Sequence, residues 1–318
     1  MKHVLLPGRE RNTTRLGYGT SGLHGGLGKR ASLRLLETAF DAGIRHFDTA
    51  PMYGLGDSEA IVGEFLARHR GQVSITTKFG LLPPKSKTLF GIARALLKPV
   101  VAPFPGVKSR LLRTISAASV KSPPPANVRY SVQAMLTSLG ESLRALRCDR
   151  IDLFLLHEAE GIDINEDLRA ALDDQVRKGF IGTWGLGSAR AKIDRAVVDA
   201  VKPYAVLQFE WSVRLGRPPY YPGSFTITHG ALRDTMAWLR EFLAQPQRRQ
   251  AWTRELKEAV ADPRSLPKLL LGAAAVANPS GIVLFTSKVE AHIRDLASLS
   301  ETNEDSAQWL LTLLSAQS

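Results

Sequence analysis

Eight short apolar runs recur along the chain, and helical periodicity separates nearly all of them. The runs are "TRLGYGT", "RHFDTA", "VSITTKF", "RIDLFLLH", "FIGTWGLG", "YAVLQFEWS", "SFTITHG" and "GIVLFTS". Strands that alternate with helices lie parallel, because each helix carries the chain back to the end where the last strand began. Eight such units predict a closed (β/α)8 TIM barrel rather than an open doubly wound sheet. The glycine fingerprint of a dinucleotide-binding Rossmann unit is missing, since "GLG" in "WGLGSAR" is too short to supply it. Barrels of this class run to about 250 residues or more as one domain, so residues 1–318 read as a single barrel domain.

Helix boundaries are partly written in the sequence. Leu33, Leu35, Leu36, Ala39 and Phe40 form a helical stripe after Ser32, which Gly43 ends. Asp57 is placed to cap the next helix and Asn165 a later one. Two stretches break the pattern. Residues 81–126 carry eight prolines, which predicts a long loop over the catalytic end of the barrel. Between the sixth and seventh strands stands only "VRLGRPPYYPGS", which has no helical period. The outer helix expected there is therefore missing, or the sixth strand ends elsewhere.

The net charge is +12, and twelve basic residues with no acidic one lie between Glu64 and Glu141. Without interleaved aromatic residues or a binding motif, this does not read as a nucleic-acid surface. No apolar run approaches the ~18 residues of a membrane span, and the N-terminal apolar run is too short for a signal peptide. Cys148, the only cysteine, allows no internal disulfide, so a reducing cytoplasm is the expected location. Cys148 reads as a buried filler rather than a reactive thiol.

A barrel enzyme works at the C-terminal ends of its strands. Asp48 ends the second run and Tyr53 follows in its turn; Lys78 ends the third and His157 the fourth. Gln208, His229, Ser287 and Lys288 come from the last three. Each has a plain structural reading alone, as a turn cap, a surface charge or a satisfied core histidine. Converging on one end of one barrel, they suit proton transfer to a carbonyl. A tyrosine of pKa about 10 is a proton donor at neutral pH, and a neighbouring cation eases its ionisation. Lys78 is that cation, Asp48 its anchor, and His157 a hydrogen-bond donor to the substrate oxygen. No side chain supplies a hydride, so a cofactor must. No metal is expected. Schiff-base chemistry on Lys78 remains open at this level.

The runs "LGYGT", "AFDAGIRHFDTAPMYGLGDSEAIVGEFL", "TTKF", "SLGESLRALRCDRIDLFLLH", "VRKGFIGTWGLGS" and "GIVLFTSKVEAHI" resemble the aldo-keto reductase family over most of residues 15–295. The resemblance implies an oxidoreductase that reduces an aldehyde, ketone or sugar carbonyl with NADPH, or runs the reverse, with NADH the second candidate. It implies Asp48, Tyr53, Lys78 and His157 as the catalytic set. It places Gly19, Thr20, Ser188 and Gln208, with Asp48, around the nicotinamide. It places Ser287 and Lys288 at the adenosine 2′-phosphate. Three positions depart from the family pattern. Gly187 and Ser188 stand where Ser-Asn is usual, His229 where an aromatic ring stacks on the nicotinamide, and His292 where an arginine meets the phosphate. These departures motivate a second reading, a cofactor-binding regulatory or sensor barrel with little turnover.

Overall fold

The computed structural model describes residues 1–8, 12–23, 27–82, 126–216, 219–256, 262, 264–299 and 301–315. Most of the proline-rich stretch expected as a loop, from 83 to 125, lies outside the described residues. A short antiparallel pair, β1 (His3–Leu5) and β2 (Asn12–Thr14), precedes the barrel. The barrel strands follow in chain order: β3 (Leu16–Gly19), β4 (His46–Asp48), β5 (Ser74–Phe79), β6 (Ile151–His157), β7 (Ile181–Gly187), β8 (Val206–Glu210), β9 (Phe225–His229) and β10 (Ile282–Phe285). All neighbouring strands are parallel, and β10 pairs with both β9 and β3, so the sheet closes. This is the (β/α)8 barrel that the alternation predicts.

Side chains alternate along a strand, which sorts each strand into a lining face and an outer face. Leu153, Leu155, Val206, Ile227, Ile282 and Leu284 face inward and form one apolar cluster. Val4 and Leu6 of the leading hairpin belong to the same cluster, so that hairpin plugs the N-terminal end of the barrel. The sequence reading assigned no structure to this hairpin, because strands of three residues are too short to show a period. Below the apolar layer, His46 bridges Ser74 and Thr76, and Thr13 bonds to Ser74. A methyl group on Gly17 would stand 2.6 Å from Leu284 and 2.9 Å from His46, so only glycine leaves room for this packing.

The helices bury their apolar stripes on the outer face of the sheet. Helix Lys29–Asp41 starts three residues before the Ser32 boundary, and Ser32 Oγ donates back to the Gly28 carbonyl at 3.0 Å. Gly43, at φ 95°, ends that helix as expected. Asn165 caps helix Glu166–Arg177 through the Leu168 amide at 2.9 Å. Asp57 occupies the cap position of helix Ser58–Arg68, but its side chain makes no capping hydrogen bond.

No α-helix lies between β8 and β9 among the described residues; a single 3-10 turn, Val213–Leu215, stands there. The Tyr221 ring packs edge-on against Phe209, and its hydroxyl donates to Asp194 at 2.5 Å. Trp211 is fully buried and donates to the Gly216 carbonyl. Aromatic side chains thus cover the strand face that a helix covers elsewhere. Helices Arg233–Leu243, Pro246–Leu256 and Leu266–Ala277 all come later, before β10. Cys148 is half-buried, and burial pushes its thiol up to about 11, which leaves it unreactive.

Helices Ser58–Arg68 and Val132–Leu146 touch where Gly63 faces the backbone of the second helix. A methyl group there would stand 2.1 Å from the Ala145 carbonyl oxygen. Gly63→Ala should therefore cost about 1–3 kcal/mol of stability. Gly140→Ala, whose new methyl meets only the tip of Arg144 at 3.7 Å, should gain up to about 1 kcal/mol from helix propensity. Urea unfolding of both variants checks the pair.

Candidate active site

Period-two alternation carries Asp48, Lys78, His157, Gln208 and His229 to the lining face at the C-terminal ends of β4, β5, β6, β8 and β9. Register then fixes their heights. Asp48 stands opposite Thr76, Lys78 opposite Leu155, His157 opposite Gly187 and Gly187 opposite Gln208.

Lys78 is only 2 % exposed, so its ammonium needs protein partners. It donates to Asp48 Oδ1 at 2.7 Å, to Asp48 Oδ2 at 2.9 Å and to the Thr49 carbonyl at 2.9 Å. Burial alone would depress its pKa, but the Asp48 carboxylate and the Tyr53 phenol outweigh that and hold it above the ordinary value. An ammonium held above the ordinary lysine pKa and bonded to Asp48 and Thr49 is a poor Schiff-base nucleophile, which argues against aldolase chemistry.

Tyr53 sits in the irregular turn Tyr53–Gly56, where Gly54 and Leu55 both have positive φ. Its ring lies 5.0 Å from Lys78 Nζ and meets the His157 ring edge-on at 6.0 Å. Burial raises the phenol above 10 while Lys78 pulls it down, so it keeps its proton at neutral pH. His157 is pushed down to about 3, first by burial and then by Lys78 and His229. It is therefore a neutral imidazole at pH 7, and its Nδ1 is buried with no hydrogen-bond partner among the described residues. His229 is depressed to about 4 by burial, Lys78 and Arg233.

Gln208 carries a second unmet need. Its amide must present Nε2 to Asp48 Oδ2, at 2.9 Å, because a carboxylate only accepts. Its Oε1 is then buried without a donor among the described residues. Beside it, a methyl group on Gly187 would crowd that oxygen at 3.3 Å, so glycine keeps the oxygen uncovered. An amide N–H group entering here would satisfy Gln208, which is what a nicotinamide carboxamide offers. Thr20 and Ser188 flank this spot; Thr20 N donates to the Asp48 carbonyl and Ser188 N to the Gln208 carbonyl. Gly19 ends β3 immediately before Thr20. The candidate residues for the far half of a cofactor stand apart from this group. Lys288 is exposed and passes over Gly22, where a methyl group would lie 3.2 Å from its Cε. Ser287 accepts from the Val289 amide, and His292 is exposed on helix Glu290–Ala297.

Several supporting residues escaped the sequence reading. Ser58 donates to Thr20 and contacts Thr49 at 3.2 Å, and Thr77 donates to buried Glu59 at 2.6 Å. These contacts tie the first turn after Tyr53 to the strands bearing Asp48 and Lys78. The signal was present, since Ser58 and Glu59 share a helix face with Ile61, Val62, Phe65 and Leu66. Polar residues on an apolar stripe imply buried partners. Tyr130, whose hydroxyl donates to the His157 carbonyl at 2.7 Å, lay in no readable pattern.

Comparison with known proteins converges on one family. Residues 15–218 match the sequence profile of the Aldo/keto reductase family. The chain belongs to that family. It is 33 % identical over 193 residues to a D-threo-aldose 1-dehydrogenase from a Pseudomonas species, a match covering 58 % of this chain and 53 % of the relative. The chain thus spans about half the length of the curated relatives it matches. Two solved structures share the fold. A holo-form aldo-keto reductase from Bacillus halodurans superposes with a TM-score of 0.67 at 19 % identity, covering 98 % of this chain and 96 % of the other. One from Klebsiella pneumoniae in complex with NADPH gives 0.62 at 17 %, covering 94 % and 89 %. No helix among the described residues is long and apolar enough to cross a membrane.

The depressed histidine makes stability pH-dependent. In the unfolded chain His157 takes up a proton near pH 6.5, while in the folded chain it resists until about 3. Its contribution is present above about pH 6.5 and is lost as pH falls towards 3. His157→Gln should therefore flatten the fall in urea midpoint between about pH 7 and about pH 4.5.

Proposed function

We propose that the protein is an NADPH-dependent oxidoreductase that interconverts a small aldehyde, ketone or sugar carbonyl and its alcohol, with residues 1–318 working as one barrel domain. One observation carries this reading: a buried ammonium, Lys78, is clamped by Asp48 beside the Tyr53 phenol. The aldose dehydrogenase among its relatives supports a carbonyl or sugar substrate. Gln208 Oε1, without a partner among the described residues and left uncovered by Gly187, suits a carboxamide. Gly19, Thr20, Asp48, Ser188, Gln208 and His229 would hold the nicotinamide half, and Ser287, Lys288 and His292 the phosphate-bearing half. When bound there, the reduced cofactor supplies the hydride.

The remaining work falls to the chain's own residues. Neutral His157 donates a hydrogen bond that orients the carbonyl oxygen without giving up its proton. Tyr53 then protonates the oxygen as it gains negative charge. Lys78 stabilises the resulting phenolate, and Asp48 keeps Lys78 charged and in place. In the reverse direction the same phenolate takes the alcohol proton. A sensor barrel would need cofactor contacts only, and the intact Asp48–Lys78–Tyr53 linkage favours turnover.

Two measurements test this reading. Tyr53→Phe should lower kcat by about 10²–10⁴-fold while NADPH still binds, as read by nicotinamide absorbance and fluorescence titration. Near-normal kcat in Tyr53→Phe, with loss in His157→Gln, would reassign the acid. Lys288→Ala should weaken NADPH by roughly tenfold, ~1.5 kcal/mol, and NADH far less, because only NADPH carries the phosphate. Equal losses for both cofactors would remove Lys288 from the phosphate site.

A further inference from the structure

His157 stands one residue beyond the end of a seam. The β5–β6 ladder closes with Phe79 opposite Leu156, so His157 has no ladder partner on its β5 side. There β5 ends, and Gly80 turns the chain at φ 110°. Tyr130 takes the vacated place. A methyl group on Gly80 would stand 2.4 Å from Tyr130 Cε1, so the ring lies against bare backbone. The same ring is buried and meets Phe79 edge-on at 6.1 Å. Its hydroxyl crosses the seam and donates to the His157 carbonyl at 2.7 Å.

This bond grips one half of a peptide unit whose other half is already held. The next N–H, that of Glu158, donates to the Gly187 carbonyl at 2.9 Å on the β7 side. A peptide unit is planar, so fixing its oxygen from one side and its nitrogen from the other fixes the plane. That plane sets the backbone torsion at the Cα from which the imidazole hangs. The imidazole lacks such a tether of its own. Its Nδ1 is buried without a hydrogen-bond partner among the described residues, and it meets the Tyr53 ring edge-on at 6.0 Å. The aim of the imidazole is therefore inherited from the backbone.

Tyr130 is in turn held from the helix side. Ser131 caps helix Val132–Leu146 through the Ala134 amide at 3.2 Å, which fixes the residue before the cap. The Arg129 guanidinium lies 5.2 Å from the ring centre. Burial pushes the phenol up to about 12, so the hydroxyl keeps its proton and donates at every pH near neutrality.

We infer that Tyr130 is a positioning residue for the reaction: by locking the His157–Glu158 peptide across the β5–β6 seam, it aims the His157 imidazole at the oxygen that Tyr53 protonates. The inference rests on the oxidoreductase reading and adds a residue that acts through His157 rather than on the substrate. Gly80 follows Lys78 by two residues, so the same ring also registers His157 against the strand that carries the ammonium.

The test is a double-mutant cycle on kcat, with NADPH and a panel of aldehydes, ketones and sugars. Tyr130→Phe keeps the ring and removes only the hydroxyl; a circular dichroism spectrum matching wild type shows an intact fold. In the wild-type background this change should lower kcat about tenfold and leave NADPH affinity unchanged. In a His157→Gln background it should have little further effect, because the hydroxyl acts through the imidazole. A residue that only stabilises the fold would lower kcat alike in both backgrounds or in neither, and either result overturns the inference. Imidazole NMR of the NADP-loaded variants reads the same aim without turnover, the His157 signal being the one lost in His157→Gln. Tyr130→Phe should move that signal and leave those of His46 and His69 in place. Where His157→Gln has no measurable kcat, this signal decides. If wild type reduces no carbonyl in the panel and the signal still moves, the oxidoreductase reading fails and the role of Tyr130 stands. If the signal does not move, the inference fails whatever the turnover.

Discussion

A lysine ammonium cannot sit inside a barrel without compensation, and the placement of Asp48 beside Lys78 meets that constraint for the whole site. Removing one partner from such a buried pair leaves the other charge unpaired, at a cost of about 3–5 kcal/mol. The requirement spreads outward. Asp48 needs donors beyond Lys78, and Gln208 supplies one from the opposite wall of the barrel. The Thr49 carbonyl takes the third ammonium proton. Ser58 and Glu59 then brace the helix that follows the Tyr53 turn. A single buried charge thus sets the positions of residues from three strands and a turn, and the phenol beside it inherits that order.

The alternation of strands and helices was legible because each element is long enough to show its period. The end of β4 at Asp48 could be read from "HFDTA", since a carboxylate stops an otherwise apolar run. Candidate residues at strand ends followed from the barrel alone. What escaped was of three kinds. The β1–β2 pair is too short to declare itself, and its burial depends on residues far along the chain. The start of the first helix before Ser32 is a matter of local capping, where Gly28 and not the serine sits at the boundary. The supporting hydroxyls of Ser58 and Thr77 depend on tertiary contacts that no spacing encodes.

Departures from the family pattern take on a physical meaning in three dimensions. Gly187 brings bare backbone up to Gln208 Oε1, which has no partner among the described residues, and a side chain there would crowd that oxygen at 3.3 Å. His229 brings an imidazole where another aromatic ring is usual, and burial, reinforced by Lys78 and Arg233, keeps that ring neutral.

That no α-helix stands between β8 and β9 among the described residues bears on what holds such a molecule shut. These two strands share a five-pair ladder, from Val206–Phe225 to Glu210–His229, although the described residues that link them are a short 3-10 turn and an aromatic cluster rather than a helix. The neighbouring β9–β10 seam has a register of two pairs. Like a cask that keeps its staves after losing a hoop, the barrel retains closure where its jacket is thinnest. The inner ladder carries the ring at this seam and holds Gln208 and His229 on neighbouring strands.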